Sequence, residues 1–349
     1  MKNPSETFDA EGSVWVLGEM KPDGEPSSTL FELTAGARGL ADALSSVRGR
    51  PCGVSVVLLT DSLRDRFNPE KVGSYGADQV LSVKAEALPF DRAVCGKILA
   101  HLAQTHRPQI VIAAATAFGR SVMPYAAALL RTGLTADCTG LSIDPESGLL
   151  LQSRPAIGGN VMATIRTPNH LPQMATVRPK TFKIPAVVTE KGAEIVTPDV
   201  SSIMRGTLRT VKFESFAQSD GTLQDRDVVV AGGRGLRRAE GFDLLTKLAA
   251  LLDGRVGASR PAVEMKWIGY PHQVGLSGQV VAPRVYIAAG ISGSVQHLAG
   301  MQTAGKIISI NRDPEAQIFN VSDVAICGDL YEILPKLTEK IETAKGGRT

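Results

Sequence analysis

The chain has 349 residues, of which 43% are hydrophobic and 21% charged, with 38 Lys and Arg against 35 Asp and Glu for a formal net charge of +3. That length predicts two folded domains, each with a core of its own, and the composition excludes both a disordered chain and a small disulfide scaffold. Charges of the two signs alternate along the chain without a basic block, so no nucleic-acid footprint stands out.

Strand-like and helix-like patterns alternate from the start. SVWVLGE (13–19) reads as a strand, and TLFELTAGARGLADALSSV (29–47) as a helix with Leu30, Leu33, Ala37, Leu40, Ala41 and Leu44 at helical spacing. GVSVVLLT (53–60) and IVIAAAT (110–116) are unbroken apolar runs of strand length, as expected in a parallel sheet covered by helices on both faces. ADQVLSV between them is a weaker strand. FDRAVCGKILAHLAQTH (90–106) is a helix with His101 beside its apolar stripe; no Cys or carboxylate cluster accompanies this histidine, so it reads as structural. GRSVMPYAAALLRTG is a helix expected to end at a Gly133 cap, and short segments punctuated by Gly and Pro follow to about residue 200.

Residues 200–226 are polar, with weak periodicity, and are the expected linker. A second alternation follows: strand DVVVAGG, helix AEGFDLLTKLAALLDG, strand VYIAAGI, helix SVQHLAGMQ, strands KIISIN and VAICG, and helix DLYEILPKLTEKIETA. No repeat of 20–50 residues is present, which argues against a solenoid. The expected architecture is α/β: a Rossmann-like parallel-sheet domain at 1–204, then a second α/β domain at 205–349. Cys52, Cys95, Cys138 and Cys327 stand far apart with no CxxC pair, which reads as four buried thiols in a reducing compartment and offers no metal site. With no apolar run near the ~20 residues of a membrane span and no signal or transit character in the opening residues, the expected location is the cytoplasm.

Three apolar strands of the second half end in small or polar corners, VVVAGGRG, YIAAGISGS and IISINRD. In open parallel sheets ligands lie beyond the carboxyl ends of the strands, so the corners predict one common pocket. GGRG (232–235) lets backbone N–H groups approach a phosphate, with Arg234 adding charge. It lacks the GxGxxG spacing, and an isolated GGxG after a strand is more often a tight turn. GISGS makes a second such corner, where Ser292 or Ser294 is expected to cap the helix carrying His297. Two corners favour a pyrophosphate.

In order and spacing, GGRG, VGASRPAV, QVGLSG, VYIAAGISGSVQHLAGM, INRDPEAQIF and GDLYEILPKL closely resemble the electron transfer flavoprotein α subunit, as do FGRSVMPYAAALLRTGLTADCTGL, RPAIGGNVMATI and ATVRP in the first half. The resemblance implies FAD in the second domain and a heterodimer with a β subunit that holds AMP or a second FAD. It also implies electron exchange with acyl-CoA dehydrogenase-type flavoenzymes, by a redox carrier and not a stand-alone enzyme. Carried over by position, it assigns Arg234 and Ser292, Gly293, Ser294, Val295, Gln296 and His297 to the pyrophosphate and the flavin edge. Ser259 and Arg260 fall to the isoalloxazine surroundings, and Val274, Gly275, Leu276 and Ser277 to the far side of the flavin. Asn311, Asp329 and Leu330 fall to the ribose and adenosine end. Arg260, Ser277 and His297 would tune the potential, His297 at a flavin carbonyl. One departure stands out: Leu276 occupies a position where most of the family has glutamine, while Ser277 keeps the hydroxyl. Two other readings remain, an NADH-oxidising bifurcating complex and, in another class, a non-redox nucleotide-binding regulatory subunit. Arg260, Ser277 and His297 discriminate against the latter, since an adenosine-phosphate binder has no need of them.

Overall fold

The computed structural model describes residues 12–21, 24–61, 67–85, 88, 90–156, 161–184, 191–203 and 223–346. The chain divides into two compact units, Met1–Glu214 and Ser215–Thr349. Most of the expected linker, 200–226, lies outside the described residues.

The first unit begins with β1 (Val14–Gly18), α1 (Ser28–Arg48), β2 (Val54–Asp61), β3 (Gln79–Ala85), α2 (Arg92–His106), β4 (Ile110–Ala114) and α3 (Gly119–Leu130). β5 (Leu134–Cys138), β6 (Gly140–Ile143), β7 (Leu150–Pro155), β8 (Met162–Ile165), β9 (Gln173–Val177) and β10 (Glu194–Val196) complete it. Seven strands form one sheet in the order β10-β3-β2-β1-β4-β9-β5, every pair parallel. The continuous apolar runs follow from two-sided covering. Alternate residues of one strand meet different helices: Val14 and Val16 pack with Leu30, Leu33, Leu40 and Leu44 of α1. Trp15 and Leu17 pack with Ile98, Leu99 and Leu102 of α2 and Val122 and Met123 of α3. Each such Leu or Ile contributes roughly 1.5–3 kcal/mol on burial.

Three details differ from the sequence reading. α3 ends at Arg131 instead of Gly133, because Arg131 itself takes the left-handed conformation (φ 54°) and donates to Ala127 O and Ala128 O. Thr132 then closes the turn with its hydroxyl on Pro172 O at 2.9 Å. The punctuated stretch after Gly140 is a separate antiparallel sheet, β6-β7-β8. Cys52, Cys95 and Cys138 are buried, but Cys327 is exposed, because it ends an edge strand of the second unit that is exposed along most of its length. His101 sits half-buried on α2.

The second unit contains β11 (Val228–Gly232), α4 (Gly241–Leu251), β12 (Arg255–Ala258), α5 (Arg260–Glu264), β13 (Val285–Ala289), α6 (Val295–Leu298), β14 (Lys306–Asn311), β15 (Val324–Cys327) and α7 (Leu330–Gly346). Its five strands run parallel in the order β12-β11-β13-β14-β15. The order reverses between β11 and β13, so the crossovers leave a crevice at the carboxyl ends of those two strands. One face is covered by α4 and α7, with Phe242, Leu245, Leu248 and Leu334 packed against Val228, Val230, Ile287 and Ile310. The other face, bearing Val229, Ala231, Tyr286 and Ala288, is covered by Val274, Val281, Ile291, Met301 and Ile318. Those residues come largely from connecting segments. Among the described residues, no helix is long and apolar enough to cross a membrane.

Candidate nucleotide-binding cleft

A cleft of about 640 Å³ opens at this switch point, lined from the ends of β11, β12, β13 and β14 and from the 274–277 loop. The first two corners hold each other. Gly233 N donates to Ala289 O and Gly235 N to Gly290 O, both at 2.9 Å. A Cβ on Gly233 would lie 2.3 Å from Gly290 O, and one on Gly235 2.6 Å from Gly290 Cα. This corrects the expectation for GGRG: these two glycines permit backbone-on-backbone packing, and their N–H groups are spent on it. The charge of Arg234, whose exposed side chain lines the cleft, is what the corner presents to a ligand.

Ser259 follows β12 at the N-cap position of α5, yet its hydroxyl makes no cap bond. It is 7% exposed, with Oγ buried and without a hydrogen-bond partner. Arg260 Nε donates to Glu264 Oε1 at 2.7 Å, both side chains well exposed, so an acid of the cleft wall already partners this arginine. In the loop, Ser277 Oγ accepts from Gln273 Nε2 at 3.0 Å, which leaves the hydroxyl proton available to a ligand. Leu276 N donates to Gln296 O at 2.9 Å, and the Leu276 side chain is 53% exposed.

Ser294 is the N-cap residue of α6, as expected of Ser292 or Ser294, but it caps through its carbonyl, which accepts from His297 N and Leu298 N at 2.9 Å. Its hydroxyl makes no cap bond. Asn311 Nδ2 donates to Ile291 O at 2.9 Å, tying the end of β14 to the corner after β13. His297 is 4% exposed; its Nδ1 lies 3.1 Å from Val274 O and its Nε2 3.0 Å from the Tyr286 hydroxyl. Burial pushes the imidazole down to about 4, against the opposing effect of the Val274 carbonyl.

Thirteen of the sixteen residues expected from the sequence line this one cleft: Arg234, Ser259, Arg260, Val274 to Ser277, Ser292 to Ser294, Gln296, His297 and Asn311. Asp329 and Leu330 line a smaller neighbouring space, which shares Gly235, Arg237, Gly290, Asn311 and Arg312 with the main cleft. Asp329 also caps α7 through Oδ1, which accepts from Tyr331 N at 2.8 Å. Val295 is 55% exposed and lines neither space. The sequence reading passed over Arg237, Arg312 and Asp313 in the lining, and over Tyr286 behind it. Arg312 and Asp313 stand inside INRD at a strand end, a position that already marks a ligand edge. Tyr286 carried no signal beyond strand alternation.

Charge and shape agree on the kind of ligand. Arg234, Arg237, Arg260 and Arg312 face Glu264 and Asp313, an excess of cations suited to a diphosphate. The unpartnered Ser259 hydroxyl and the free proton of Ser277 add polar donors, and the volume lies within the range of cofactor pockets. Such a cleft at the switch point of an open parallel sheet defines a dinucleotide-binding α/β protein.

The electron transfer flavoprotein FAD-binding domain matches residues 222–302, and the electron transfer flavoprotein domain matches residues 14–203. The chain is 39% identical to electron transfer flavoprotein subunit alpha of Thermoanaerobacterium thermosaccharolyticum, covering 95% of this chain and 98% of that one. It is 40% identical to the subunit of the same name from Clostridium acetobutylicum, over 95% and 97%. It is 37% identical to the lactate dehydrogenase (NAD(+),ferredoxin) subunit LctC of Acetobacterium woodii, over 92% and 75%. The chain belongs to the electron transfer flavoprotein α-subunit family. It is an electron carrier whose second unit binds FAD, and the family implies a heterodimer with a β subunit.

Proposed function

We propose that this chain receives electrons from an acyl-CoA dehydrogenase-type flavoenzyme and passes them to a downstream acceptor, bound to a β subunit that holds AMP or a second FAD. The observation that supports the reading is the cationic cleft at the β11/β13 switch point, lined mostly by residues of the stretch that matches the FAD-binding domain, with Asn311, Arg312 and Asp313 beyond it. Arg234, Ser292, Gly293 and Ser294 would hold the pyrophosphate, and Asn311, Asp329 and Leu330 the ribose and adenosine end. Ser259, Arg260, Val274 to Ser277, Gln296 and His297 would surround the ring. FAD, when bound, supplies a centre that takes up and returns electrons one at a time. The chain's residues bind it, orient it and set its potential: Arg260 as a charge that a ligand can draw away from Glu264, Ser277 as a hydroxyl donor, and His297 from beside the 274–277 loop, where its imidazole meets Val274 O. The functional division falls at 204/205, with 200–226 as linker, and the working compartment is the cytoplasm.

The test is co-purification with the β subunit, followed by absorbance spectra after adding an acyl-CoA dehydrogenase with its substrate, or NADH alone. Bleaching of a yellow complex by the dehydrogenase supports the reading. A complex that stays colourless after FAD supplementation overturns it. Reduction by NADH alone moves the chain to the bifurcating class.

A further inference from the structure

His297 stands where β13, α6 and the 274–277 loop meet, and its two ring nitrogens are engaged differently. A backbone carbonyl only accepts, so the 3.1 Å contact to Val274 O requires the proton on Nδ1. In the neutral ring Nε2 then offers a lone pair, and the Tyr286 hydroxyl at 3.0 Å donates to it. Tyr286 is 0% exposed on β13, the strand paired with both β11 and β14. We propose that Tyr286 is a positioning residue of the electron-carrier site: its hydroxyl holds His297 as the Nδ1-protonated imidazole, and His297 in turn holds the 274–277 loop, with Ser277, against the cleft. The proposal rests on the reading of this cleft as the FAD site.

The connections make a bracket. Val274 is fixed on one side by its N–H to Ala258 O at 2.9 Å and on the other by the imidazole on its carbonyl. Leu276 N on Gln296 O ties the next turn of the loop to α6. Burial keeps the proton on Tyr286, and His297 is the partner of its hydroxyl. An imidazole turned toward a ligand carbonyl would abandon the Val274 carbonyl and the Tyr286 hydroxyl inside the core, and both losses oppose it. Tyr286 is the titratable group in contact with the ring, and no charged side chain acts on it among the described residues; burial and the Val274 carbonyl set its titration. His297 therefore works as a neutral strut, and its influence on the cofactor is transmitted through the position of the loop.

The test uses the full chain with ¹⁵N-labelled histidine, whose five imidazoles are few enough to assign by substitution. In the flavin-free wild type, His297 is expected to show a protonated Nδ1 and a bare Nε2, unchanged between about pH 5.5 and 8. In Tyr286→Phe the neutral ring loses its donor, so its titration midpoint is expected to rise by about one unit, a tenfold gain in proton affinity. His297→Asn keeps an N–H for Val274 O and is expected to retain FAD at least threefold better than His297→Ala. A wild-type His297 that is protonated on Nε2, or that titrates near 6.5, overturns the proposal, as does an unchanged spectrum in Tyr286→Phe. Asn no better than Ala overturns the link to the loop. The spectra need no flavin, so a failure of the FAD reading would leave them intact and show only as absent flavin binding in the wild type.

Discussion

Replacing Gly293 by alanine should damage the second unit, whereas the same change at Gly39 should help the first. Gly293 has φ +88°, and a Cβ built on it lies 2.3 Å from Ile318 N and 2.7 Å from Ile318 Cα. Both obstacles are backbone, and Ile318 N is already committed to Ser292 O at 3.0 Å, so no rotamer change relieves the contact. A left-handed conformation costs an ordinary residue about 1–2 kcal/mol, and forcing an extra carbon into a packed site costs about 1–3. The total of about 2–5 kcal/mol is a large part of the ~5–15 available to a domain. At roughly 3–5 °C per kcal/mol for a unit of this size, the melting transition should fall by about 6–25 °C. Gly39 lies exposed within α1 with nothing inside 4 Å of its ideal Cβ; alanine there should stabilise by about 0.5–1 kcal/mol, through helix propensity and a less flexible unfolded chain. Calorimetry of the flavin-free chain reads both. A Gly293→Ala transition within about 2 °C of wild type, or shifts of the same sign in the two variants, would refute the reasoning.

Other outcomes follow from the cleft and from the first unit. Ser259→Ala removes a buried hydroxyl without a partner, so the flavin-free chain should be unchanged or slightly more stable, while FAD affinity measured by fluorescence quenching falls; a loss of stability without a loss of affinity would count against its placement. Arg234→Ala should weaken FAD binding by about 1.5–3 kcal/mol, roughly 10- to 150-fold in Kd. Asp329→Ala should cost mainly about 0.5–2 kcal/mol of helix stability, since the residue caps α7; equal losses of FAD on dialysis would contradict this. Asp137 bonds Arg178 at 2.6 Å and Arg120 at 3.4 Å. Burial pushes its carboxyl up, but the Arg178 hydrogen bond and the charges of Arg178, Arg120 and Arg154 together hold it below the usual value. A depressed carboxylate stabilises above its unfolded pKa of ~3.9 and loses that contribution as pH falls through the folded value. Asp137→Asn should therefore cost about 3–5 kcal/mol near neutrality, and the gap to wild type in urea titrations should narrow below about pH 4; a gap that is constant with pH would exclude the ion pair.

Elements with a dense apolar signal were legible from the sequence. All six residues spaced along α1 are buried, β2 and β4 appear where unbroken apolar runs placed them, and β1, β11, β13 and β14 where strand-like apolar segments did. What escaped was short or set by distant contacts. β12 is four residues, RVGA, and α5 five, too few to show a period. α6 closes after one turn instead of running to Gln302, and Gly300 packs against Gly275, where a Cβ would lie 2.5 Å from its Cα. Most of the cleft was legible because strand-end corners are local in sequence. The engagement of Gly233 and Gly235 with Gly290, the pairing of Arg260 with Glu264 and the Tyr286–His297 bond were not, since each depends on which segments the sheet order brings together.

One face of the second sheet is roofed by loops and short helical turns, and Val274 and Ile291 of that roof also line the cofactor cleft. Such a cover opens at a lower free energy than a face closed by long helices, and a ligand held by it adds RT ln(1 + [L]/Kd), about 2.7 kcal/mol when free FAD is 100-fold above Kd. Bound FAD should therefore protect this face against local opening. Limited proteolysis reads this: without added FAD the chain should be cut sooner on the loop-covered side than with it.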